Sequence, residues 1–144
     1  MQLFMGVPGN VILDESRYVT LDGCLAHVCD ADRGMLWIDT GADPADLIFA
    51  GIDLIGGKTP DSESHLWIFT SRNLNWQHTP APFVSSLHRW LATIGTDPYF
   101  GTDGYHYKFA IVTIVQPNGV MVDLGPGTFS LGAAGSKTIS GTGI

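Results

Sequence analysis

The chain has 144 residues, with 7 Lys and Arg against 14 Asp and Glu, a formal net charge of −7. That length supports one domain with its own core. The acidic balance argues against nucleic acid and anionic membrane surfaces as partners and favours basic proteins. No apolar run reaches the roughly eighteen residues of a membrane-spanning helix, and Met1-Gln2-Leu3-Phe4-Met5 lacks the basic and apolar regions of a signal peptide.

Residues 1–16 carry apolar positions on both sides of a Val7-Pro8-Gly9-Asn10 turn signal, which predicts two short extended segments. Arg17–Asp22 and Met35–Asp39 read as the strands of a hairpin, with a turn-rich return over Asp30–Gly34. Asp46–Ile55 reads as a third strand with Gly51 as a candidate bulge. His65–Ser71 reads as a fourth strand. Pro80–Ile94 is the clearest helix. Thr79 is its candidate N-cap, Pro80 suits the first turn, and Gly95 can close the end. Phe83, Leu87, Trp90, Leu91 and Ile94 share one face, which predicts packing on a sheet. His88 and Arg89 fall on the other side, Arg89 toward the favourable end of the helix dipole. Asp97–His106 is an aromatic-rich loop. Tyr107–Gln116 is β-branched and nearly continuously apolar, hence expected to be a central strand. Pro117-Asn118-Gly119 turns it back along Gly119–Leu124.

These elements predict an α+β domain over residues 1–124: an antiparallel five- to seven-stranded sheet with one main amphipathic helix on one face. Residues 125–144 are rich in Gly, Ser and Thr and read as a flexible tail.

The stretch with the most chemistry is Asp22-Gly23-Cys24-Leu25-Ala26-His27-Val28-Cys29-Asp30, at the connection of the first hairpin. It holds both cysteines of the chain and a histidine between them. A Cys24–Cys29 disulfide would close a six-residue ring, worth roughly 2 kcal/mol in the chain-entropy description. The ring would do more for loop rigidity than for the fold. Three readings stand side by side: a local staple with a solvated His27, a metal site, and a rigid binding loop. The spacing matches no standard zinc pattern, and no second Cys pair follows.

Cys-x-x-His-x-Cys, then Arg33 and the apolar run Met35-Leu36-Trp37, resembles the signature of the Ivy family of periplasmic lysozyme inhibitors, over about Tyr18 to Leu54. The resemblance implies a central antiparallel sheet with helices against it. It also implies a disulfide-closed loop whose histidine, His27 here, enters the active-site cleft of a lysozyme. This loop has Leu25-Ala26 before the histidine and Val28 after it, where the family usually has Lys-Pro and an acid.

No nucleophile elbow, zinc-protease, P-loop or dinucleotide motif is present. Asp39, Asp46 and Asp53, spaced by seven, are the carboxylates a glycoside hydrolase could use. No metal or cofactor is expected. The expected function is inhibition of a basic lysozyme or other peptidoglycan-cleaving enzyme by residues Cys24 to Asp30, in the periplasm or outside the cell. A homodimer is left open. The alternatives are an immunity protein against a secreted cell-wall toxin and a cell-envelope hydrolase using a free Cys24 or Cys29 with a histidine.

Overall fold

A computed structural model describes residues 5–27, 32–54, 64–75, 79–95, 108–109, 111–124 and 127–128. In chain order the elements are β1 (Val7–Asp14), β2 (Tyr18–Cys24), β3 (Arg33–Asp39), β4 (Asp46–Leu54), β5 (Ser64–Thr70), α1 (Ala81–Gly95), β6 (Lys108–Phe109), β7 (Ile111–Val115), β8 (Met121–Leu124) and β9 (Gly127–Thr128). Seven strands form one sheet in the order β1-β2-β3-β4-β5-β7-β8, and β6 pairs with β9 separately. Strands β6 and β7 fall in the predicted strand 107–116, and β9 lies inside the stretch read as a tail. The aromatic loop 97–106 lies outside the described residues.

The sheet is mixed, which corrects the antiparallel expectation. Strands β1 to β5 meander antiparallel, but β7 pairs with β5 in parallel, His65 opposite Ile111 through Phe69 opposite Val115. Antiparallel neighbours need only a tight turn, whereas a parallel pair needs a crossover of a dozen residues or more. The chain between β5 and β7 contains α1 and supplies that crossover. Nor is β7 central: only β8 lies beyond it.

Two other sequence expectations change. The Val7–Asn10 turn signal is absorbed into β1 as a register shift between Pro8 and Val11. There Asn10 N donates to Asp22 Oδ1 at 2.6 Å. A β-carbon on Gly9 would come within 1.9 Å of that oxygen, so a larger residue there would displace the Asp22 carboxyl from Asn10 N. Gly51 is no bulge: it sits in unbroken register between Gly34 and Trp67.

The core lies between the sheet and α1. Phe83, Val84, Leu87 and Trp90 of the helix pack with Met35, Trp37, Ile48, Ala50, Ile52, Leu66, Ile68, Val112 and Ile114. Trp37 is fully buried, stacked on Tyr18 at 5.5 Å and edge-on to Phe83 at 5.8 Å. Each such side chain contributes roughly 1.5–3 kcal/mol by burial. No basic residue stands in the last turn of α1. Arg89 instead ties the helix to β1, its Nη2 2.8 Å from Asp14 Oδ2 and its Nη1 3.2 Å from Oδ1.

Candidate functional site

The hairpin of β2 and β3 runs in register from Tyr18 opposite Asp39 to Cys24 opposite Arg33. Leu25 N then donates to Asp32 O at 3.0 Å, which carries the ladder one step further. Ala26 and His27 follow in an exposed turn. His27 takes φ near 70°, a left-handed conformation uncommon for residues with a β-carbon. Cys24 and Leu25 are half-buried at the loop base. Val28, Cys29 and Asp30 lie outside the described residues. No described cysteine is free.

Near this loop, Asp22 is committed to the β1 bulge through Asn10, and Asp32 is half-buried. The three aspartates spaced by seven do not converge. Asp39 binds Arg17, with Nε 2.6 Å from Oδ1 and Nη2 2.9 Å from Oδ2, and also accepts from Gly41 N at 2.9 Å. The Arg17 guanidinium holds the Asp39 carboxyl below its ordinary range. Asp46 accepts from Ser71 Oγ at 3.1 Å and lies 4.0 Å from Arg72 Nε. Asp53 stands opposite His65, seven residues along β4 from Asp46, which pairs with Asp39.

A second polar constellation crosses β5, β7 and β8. His65 Nε2 lies 2.7 Å from Thr113 Oγ1, which donates to Asp123 Oδ1 at 2.7 Å. The hydroxyl has one proton and gives it to the carboxylate, so Thr113 must accept from His65, and Nε2 carries the hydrogen. His65 is 8% exposed and stacks on Trp67 at 3.8 Å. Burial pushes its pKa down against the pull of Asp123 and Asp53. Thr113 is 2% exposed, too deep for a substrate to reach. The row fits a pin that fixes the register of the parallel β5–β7 pair better than a catalytic relay. Its sequence signal is His65, Trp67 and Phe69 alternating on one face of a strand. The contact with Thr113 spans 48 residues and no local pattern carries it.

Among the described residues no group of three or more His, Cys, Asp or Glu is placed to hold a metal ion. No helix among them is long and apolar enough to cross a membrane. No family model matches the sequence, and no curated protein or solved structure matches it.

Proposed function

We propose that this chain is an Ivy-like inhibitor, acting outside the cytoplasm, that presents the β2–β3 connection to the cleft of a lysozyme or other peptidoglycan-cleaving enzyme. The observation that carries this is His27: exposed, at the turn of the hairpin, in a left-handed conformation. Strained backbone at an exposed polar residue is where recognition tends to sit. A ring closed from Cys24 to Cys29 would hold that conformation before contact and lower the entropy cost of binding. The imidazole would then hydrogen-bond the carboxylates of the target's cleft. The net charge of −7 would speed encounter with a basic enzyme and make it salt-dependent.

The test is the clearing of a bacterial cell-wall suspension by lysozymes of several types, with the oxidised protein added at rising concentration. Stoichiometric inhibition of at least one type is expected. Undiminished clearing by all of them would retire the target class.

A further inference from the structure

The helix covers one face of the seven-stranded sheet, and the other face carries apolar side chains beside the polar His65–Thr113–Asp123 row. The large side chains exposed within its strands on that face are Val11, Leu13, Leu47, Phe69, Ile111 and Met121, from 39% exposed for Leu47 and Ile111 to 70% for Val11. Register places all six opposite in sense to the core residues. Ile12 of β1, Ile48 and Ala50 of β4, Ile68 of β5, Val112 of β7 and Val122 of β8 alternate with them and point to the helix. At the middle of the face Leu36, Leu47, Phe49 and Phe69 line an apolar hollow of about 390 Å³. Apolar patches of more than a few hundred Å² are uncommon on proteins that act alone.

We propose that this face is the contact surface between two copies of the chain, packed sheet on sheet. Area and charge argue for it. Seven strands about 4.8 Å apart and some five residues deep give roughly 500 Å² in projection, and side-chain relief raises this toward the roughly 800 Å² that a standard interface takes from each partner. The charges are distributed to suit it. The ion pairs Arg17–Asp39, Arg72–Asp46 and Arg89–Asp14 involve Asp14, Asp39 and Asp46, which share register rows with the core side of the sheet. On the open face the strand acids Asp53 and Asp123 stand near the end that carries the β2–β3 connection, and no charged side chain lines the hollow. Two chains of charge −7 repel one another, and salt screens that repulsion. A basic partner would find no acid in the hollow to pair with. Aligned sheets pack about 10 Å apart with interdigitating side chains, and Phe69 of one copy would fill the hollow of the other.

The surface is separate from the loop of the proposed function and stands or falls without it. The experiment is sedimentation velocity on the full chain from about 1 to about 100 μM, the range of ordinary homodimer affinities. Salt is varied from about 50 to about 500 mM NaCl, to pass from weak to strong screening. The expected result is a dimer that tightens with salt. Phe69→Lys, and separately Leu13→Lys with Met121→Lys at the exposed rim, should each weaken it at least about tenfold while keeping the circular dichroism spectrum. The rim pair carries the test if the central lysine prevents folding. A monomer throughout overturns the proposal. So does a dimer that weakens with salt or ignores the lysines.

Discussion

His27 keeps a left-handed φ near 70° despite its β-carbon, at a cost of about 1 kcal/mol that glycine would not bear. In His27→Gly the relief of that backbone is offset by the greater unfolded-state freedom of glycine, so Tm is expected to change little while inhibition is lost. A melting curve and a cell-wall assay on one preparation check both halves. Glu15 and Ser16 take φ near 54° and 53° in the β1–β2 turn, which Arg17 N closes on Asp14 O at 3.0 Å. Positive φ at both central residues is a type I′ turn, which Asn-Gly fills with least strain. Replacing Glu15-Ser16 by Asn-Gly should stabilise by roughly 1 kcal/mol, read from urea unfolding. Glu-Ser is no hairpin signature, so this turn is not legible in the sequence. Pro117-Asn118-Gly119 is: Gly119 takes φ near 85°, Asn118 Oδ1 accepts from Val120 N, and the turn falls where expected.

Local patterns place the elements well, because strand alternation and the helical face of Phe83, Leu87 and Trp90 are written in neighbouring residues. What they do not carry is pairing across long separations. The parallel β5–β7 contact depends on the crossover through α1. Its two polar pins come from distant segments: His65–Thr113, and Gln116. The Gln116 amide accepts from Leu74 N at 2.9 Å and donates to Leu74 O at 2.8 Å. Gln116→Ala would leave both Leu74 backbone groups without these partners and should cost roughly 1–3 kcal/mol, measurable by chemical denaturation. Burial lowers the pKa of His65 and of His88. The unfolded chain takes up protons near the ordinary histidine value of about 6.5 while the folded chain does so only at lower pH. Below the ordinary histidine value the unfolded state binds more protons, so stability rises with pH there and falls on acidification below about pH 6.5. His65→Gln keeps an N–H for Thr113 and cannot titrate. It should flatten that slope in a series of melting temperatures against pH.

For the molecule as a whole, helix, ion pairs and core occupy one side of the sheet, and the open face occupies the other. The β2–β3 connection projects from one end, where Cys24 meets Arg33 in the last pair of the register. The loop's residue types were legible in the sequence, since Cys24, His27 and Cys29 lie within six positions. Its placement at an end of the sheet was legible too, because the flanking strands announce themselves. The open face was not, because it takes one residue from each of several strands and only the sheet order brings them together. The most direct measurement is the apparent inhibition constant of the oxidised protein and of His27→Ala against a lysozyme, with equal melting temperatures as the control for folding. Inhibition by the native chain that weakens more than about tenfold in His27→Ala, a loss of roughly 1.4 kcal/mol or more, is the expected result. Equal inhibition by both proteins would contradict the role given to His27.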